Sequence, residues 1–179
     1  MAFFQGRGFG VQSPTDYSFV RDVIKERLPY YAYEDMRTLY PSIPRKKEML
    51  CQLLFRIANY AQAETIVCTL DDEMIRSYLH AGCNKSKITA EATPDSKPSL
   101  WVLTAEEVGQ LPLTHGPCSR SSTEGRFHIM IIEGIRRNRK AKRMWKAVMN
   151  DDRATITYDL YSIGIVFADS KRYKQHYTI

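Results

Sequence analysis

The chain has 179 residues, 44% of them apolar and 26% charged, with a formal net charge of +6. That is enough chain for one domain with a sizeable core, and no apolar run reaches the roughly 18 residues a membrane-spanning helix needs. A charge of this size permits an anionic partner without requiring one.

The first ten residues, MAFFQGRGFG, contain no cationic segment followed by an apolar core. No signal peptide is therefore expected, and the expected setting is the cytoplasm, with no membrane partner. Cys51, Cys68, Cys83 and Cys118 are scattered and form no CxxC pair. Cys51 and Cys68 sit in apolar runs, which predicts plain core thiols.

Residues 1–15 read as an ordered arm or loop. A short amphipathic helix is expected over 18–28, with Phe19, Val20, Val23 and Ile24 on one face, Asp16 as N-cap and Pro29 beyond its end. The tyrosine-rich stretch 30–44 is expected to end irregularly at its prolines. A strong helix is predicted over 45–61, because Met49, Leu50, Leu53, Leu54, Ile57 and Ala58 recur at helical spacing. Residues 65–70 (TIVCTL) read as a buried strand. Asp71-Asp72 then caps a helix reaching about residue 80, which Gly82 ends. Further strands are expected over 87–91 (KITAE) and 100–103, a short helix over 105–110, and a loop over 111–126.

The last third, 127–169, is the most patterned. FHIMIIEG is a nearly continuous apolar run, short enough for a strand buried on both faces. The following stretch puts Ala141, Met144, Trp145 and Val148 on one helical face among many cations. Runs 155–160 and 163–167 are separated only by Tyr161 and Ser162, which predicts an antiparallel hairpin. Strands alternating with helices predict a mostly parallel, doubly wound α/β sheet. A single domain over 1–179 is expected, with an arm and helix over 1–44 and the sheet core over 45–179.

Other chemistries find little support. His80, His115, His128 and His176 have no metal-ligand spacing, and His128 reads as a packed core residue. Cys118 and His115 lack a fixed base and an anion-stabilising pocket. No GxxxxGK[ST] phosphate loop occurs.

Three segments carry a resemblance: GRGFGVQSPTDYSFVRDVI at 6–24, LLFRIANY at 53–60, and the tail of IIEGI, a tryptophan-centred helix, TITYDLYSIGIVF and KQHYTI. Together they resemble a group of bacterial class I methyltransferase-like proteins that use S-adenosylmethionine. The match covers both ends, about two thirds of the chain, and its motifs mark lineage rather than catalysis. The resemblance implies a three-layer, Rossmann-like α/β sandwich. Its sheet would be mostly parallel, of about six strands, shortened in the middle and closed by the C-terminal hairpin.

The centre departs from the family. There the first strand ends in an acidic residue and a glycine-rich turn, which lets backbone approach the cofactor. Here no glycine lies between Glu64 and His80, and Thr69, Leu70, Asp71 and Asp72 occupy the turn. Bulky side chains would crowd the ligand, and two carboxylates would meet the cofactor's own. Glu91 matches the family residue that binds the ribose hydroxyls. The roughly 35 residues from Glu91 to Phe127 hold one strand and one helix where the family needs two of each. The family's acidic pair is Glu133-Gly134 here, a remnant too poor in oxygens for a divalent metal and better read as a cap for the next helix.

The family's tail helix is acidic or mixed, whereas here Arg136, Arg137, Arg139, Lys140, Lys142, Arg143 and Lys146 crowd it. Lys171, Arg172, Tyr173 and Lys174 form a second small basic cluster. Three functional expectations follow. The first is a degenerate methyltransferase-like protein that binds no cofactor and acts on a protein partner or a second copy of itself. The second is an S-adenosylmethionine-dependent methyltransferase with an unusual turn, using Thr69, Leu70, Asp71 and Glu91. The third is weak nucleic-acid binding through the basic helix over 136–146, with Arg136, Arg137, Arg139, Lys140 and Arg143 as its anion-binding face.

Overall fold

The computed structural model describes residues 13–91, 99–108, 128–169 and 171–179, apart from the side chain of residue 128. The expected loop over 111–126, His115, Cys118 and the role given to His128 lie outside the described residues. What is described forms two compact units, one of residues 13–62 and 72–85 and one within 63–71 and 86–179.

The first unit is helical: α1 (Pro14–Phe19) continuing into a π-helical turn (Val20–Ile24), α2 (Tyr31–Leu39), α3 (Arg45–Ala61) and α4 (Glu73–Gly82). Its first helix starts earlier than the expected residue 18. Pro14 fits the first helical position, where the missing N–H has no acceptor to lose, and the Ser13 hydroxyl accepts from the Asp16 amide at 3.4 Å. Asp16 is therefore a buried first-turn residue and not the N-cap.

Helix α3 spans the expected residues and buries Cys51, Leu53, Leu54, Phe55, Ile57 and Ala58. Met49, expected on that face, is 60% exposed. Burial pushes the Cys51 thiol up to about 11, so it is inert at neutral pH. Arg56 ties this unit together. Its guanidinium donates to the carbonyls of Val23 (2.6 Å) and Ile24 (3.3 Å) and to the Tyr33 hydroxyl (3.2 Å). Tyr30, Tyr33 and Phe55 meet with centroids 5.1–5.2 Å apart, tilted or edge-on as aromatic quadrupoles favour.

Asp72 caps α4 by accepting from the amides of Met74 (3.1 Å) and Ile75 (3.4 Å), and Lys47 pairs with its other oxygen. Gly82 does not stop the helix as a left-handed residue. It is the helix's last residue, and glycine is required because a Cβ would stand 2.3 Å from the Phe55 carbonyl oxygen.

The second unit holds the sheet: β1 (Thr65–Cys68), β2 (Lys87–Thr89), β3 (Leu100–Thr104), α5 (Ala105–Val108), β4 (His128–Glu133), α6 (Arg139–Asn150), β5 (Ile156–Asp159), β6 (Ile163–Ala168) and β7 (Gln175–Thr178). The strand order is β2-β1-β3-β4-β6-β5-β7. β1 pairs in parallel with β2 and β3, β3 with β4, and β5 with β7, whereas β6 is antiparallel to both β4 and β5. The fold is thus α/β with a mostly parallel sheet, and the expected hairpin supplies its reversed strand. The sheet has seven described strands instead of about six, because the tail adds β7 along β5.

Continuous apolar runs give strands buried on both faces. Ile129 and Ile131 alternate with Met130 and Ile132, and all four are buried. Met130 and Ile132 join Val67, Trp101, Leu103 and Val166 in a cluster with Ala141 and Trp145 of α6. The Trp145 ring lies so close to β6 that a Cβ at Gly164 would come within 2.5 Å of it. Its indole N–H donates to buried Asp159 at 3.0 Å, the acceptor that a buried tryptophan needs.

Candidate functional site

From β1 the chain proceeds to β2 on one side, then returns to β3 on the other side of β1. The switch point of this sheet lies between β1 and β3, and in open α/β sheets ligands bind outside the carboxyl ends of the strands at such a point. Here those ends carry Thr69, Leu70 and Asp71 after β1 and the Thr104–Glu107 turn after β3.

A carboxylate bridges the two. One Glu107 oxygen accepts from the Thr69 hydroxyl at 2.5 Å, the Thr104 amide at 2.7 Å and the Thr104 hydroxyl at 2.8 Å. The Glu107 amide donates back to the Thr104 hydroxyl at 3.3 Å, so T-A-E-E is a capping box for α5. Thr69 extends the box across to β1, and its amide donates to the Val102 carbonyl at 3.1 Å. Burial pushes the Glu107 carboxyl up, but the Thr69 and Thr104 donors outweigh it and hold the group below its ordinary value. It is a carboxylate at neutral pH.

The other expected residues do not converge on a ligand. Leu70 is half-buried and Asp71 exposed. Glu91 is exposed two residues beyond β2, at the carboxyl side of the sheet's edge strand. Glu133 does not cap α6. It pairs with Arg137 at 3.1 Å, and the cap is Asn138, whose side chain accepts from the Ala141 amide at 2.8 Å. Gly134 has φ +81°, a conformation that suits glycine. The cleft between this turn and α5 holds about 10 Å³, room for roughly one water. Among the described residues no group of three His, Cys, Asp or Glu side chains could hold a metal.

The basic face also differs from expectation. Arg136 donates to Asp159 at 2.6 Å and stacks 4.9 Å over Tyr161. With Arg137 held by Glu133, these two cations are neutralised locally. Arg139, Lys140, Lys142, Arg143 and Lys146 are exposed. A separate open cleft of about 490 Å³ lies within the helical unit, lined by Tyr30, Tyr31, Tyr33, Arg37 and Arg56 among others.

Sequence reasoning singled out Thr69 but missed Glu107 and Asp159. The T-x-x-E spacing of Thr104 and Glu107 was the available signal for the first. For the second, a buried tail tryptophan called for an acceptor nearby. Compared with protein-family models, curated proteins and solved structures, the chain has no match in any of the three. No helix among the described residues is long and apolar enough to cross a membrane.

The carboxylates set an acid limit. Arg153 holds the Asp151 carboxyl at about 2, against the burial that would raise it. Groups depressed in this way add stability above their ordinary values and lose it as pH falls through the folded value. For Asp151 that window runs from 3.8 down to about 2, and Glu107 contributes in the same direction. Thermal unfolding is expected to hold steady from neutral pH to about 5 and then fall progressively. Asp151→Asn should flatten part of that fall, and an equally steep fall in the variant would remove Asp151 from the account.

Proposed function

We propose that this chain is a methyltransferase-like, cytoplasmic protein of bacterial lineage that does not bind S-adenosylmethionine and acts through interactions. The observation that carries this reading is Glu107 bridging Thr69 and Thr104 at the switch point. A cofactor approaching there would meet a fixed carboxylate where its own carboxylate needs donors. The nearest hydroxyls and the Thr104 amide are already engaged, and Thr69 and Leu70 replace the glycine backbone that the resemblance calls for. The residues present do not fit the cofactor. The sheet order and its one reversed strand support a Rossmann-like frame of the methyltransferase type.

Calorimetric titration with S-adenosylmethionine and S-adenosylhomocysteine tests this reading. No binding tighter than about 1 mM, roughly −4 kcal/mol, is expected. A micromolar Kd would overturn it.

One observation favours a second reading, a methyltransferase with an unusual turn. Glu91 follows β2, next to the strand that carries the turn, in the order expected of a ribose-binding acid. Under that reading Glu91→Ala would weaken a measurable affinity by about tenfold or more, the worth of a charged hydrogen bond.

A further inference from the structure

Helix α6 breaks two local rules of charge placement. Its 12 residues contain five cations and no acid. Its first turn is basic although a helix N-terminus favours negative charge, its last turn has no base, and Asp151 and Asp152 follow it. Arg139 and Arg143, and Lys142 and Lys146, are like-charged i,i+4 pairs, each mildly destabilising. Nothing among the described residues neutralises them. Asp151 is taken by Arg153, and Asp152 lies 3.9 Å from Lys174. Departures from local consistency with no compensating contact mark functional surfaces.

The geometry orders these charges. Arg139, Lys142, Arg143 and Lys146 recur at i, i+3, i+4 and i+7, one exposed stripe about 10 Å long, with Lys140 beside it. The opposite side of the helix, through Ala141 and Trp145, is fixed in the core.

We propose that this stripe binds the phosphate backbone of a double-stranded nucleic acid without reading its sequence. Protein interfaces have an apolar centre depleted of charge, and no apolar side chain lies among the four cations. Single strands are gripped by aromatic stacking, and the aromatic residue of this helix, Trp145, is buried. A phosphate backbone needs only spaced cations. The proposal names a partner for the interaction reading above, yet it stands or falls apart from it, since cofactor titration does not involve α6.

The test is fluorescence anisotropy of labelled duplex DNA and duplex RNA from about 50 to 200 mM salt. Four phosphate contacts should weaken binding by about 100-fold over that range, with little dependence on sequence. The variant Arg139→Gln/Lys142→Gln/Arg143→Gln/Lys146→Gln should lose most of the binding and of the salt slope. Its unfolding midpoint should be unchanged or raised, because these charges are exposed and mutually repulsive. A control losing the same charge elsewhere, Arg45→Gln/Lys46→Gln/Lys85→Gln/Lys87→Gln, should bind like wild type. A stronger response to RNA or DNA would identify which duplex is preferred. The proposal is overturned by no binding at the lower salt, by equal losses in both variants, by preference for a single strand, or by capture of polyglutamate with no capture of duplex. Should the fourfold variant fail to fold, Arg139→Gln/Arg143→Gln serves in its place: it should lose about half of the salt slope, and an unchanged slope overturns the proposal.

Discussion

Trp145→Ala is expected to cost about 3–5 kcal/mol of stability, the range for a large buried aromatic. The indole is 3% exposed and touches both β6, through Gly164, and the end of β5, through Asp159. Truncation would leave a cavity between helix and sheet and strip a donor from a buried carboxylate. Urea unfolding with an unchanged m-value should show the full loss as a shift in midpoint. A midpoint equal to wild type would mean that the helix does not seat its tryptophan on the sheet.

Asp159→Ala is the companion result, with an expected loss on the order of 3 kcal/mol. Asp159, 3% exposed, accepts from the Trp145 indole, the Arg136 guanidinium and the Tyr161 amide. Burial pushes its carboxyl up, but these donors prevail and leave it below the ordinary aspartate value. Its contribution is therefore present at neutral pH and lost as pH falls through the folded value. Removal orphans the buried indole N–H, so the two substitutions should not add. In a Trp145→Phe background, which has no N–H, Asp159→Ala should cost about 1–2 kcal/mol less. Full additivity would show that the hydrogen bond contributes nothing beyond packing.

The parts of the fold governed by local pattern were readable. α3 spans the expected 45–61 because its apolar residues follow one helical face. β1, β3 and β4 are apolar runs too short for helices, and the β5–β6 hairpin follows from two β-rich runs with a two-residue gap. β7 was not readable. Gln175–Thr178 has no apolar alternation and is a strand because β5 offers it a hydrogen-bonding edge. The start of α1 differs from expectation because Asp16 resembles a cap, whereas Ser13 and Pro14 supply a better one.

The site divided in the same way. Thr69 stood out as a side chain where a glycine was wanted. Its partner Glu107 lies 38 residues away in sequence, and only the sheet order brings the two turns together. The charge of α6 was plain in the sequence. That Arg136 and Arg137 are spent on Asp159 and Glu133 depends on contacts to other strands and turns, so the exposed stripe is narrower than composition suggested.

The last strand also has a protective consequence. β5 carries Ile156 and Tyr158, both buried, and it would end the sheet if β7 were absent. An unpaired strand of that composition is a template for edge-to-edge self-association. β7 occupies that edge through the Gln175 amide to Thr155 and the Ile179 amide to Asp159. It presents Gln175, His176 and Thr178 to solvent instead, with Lys171 and Lys174 just before it. A chain cut after Lys174 would exchange a polar, cation-flanked border for an apolar one, and it is expected to self-associate where the chain with β7 does not.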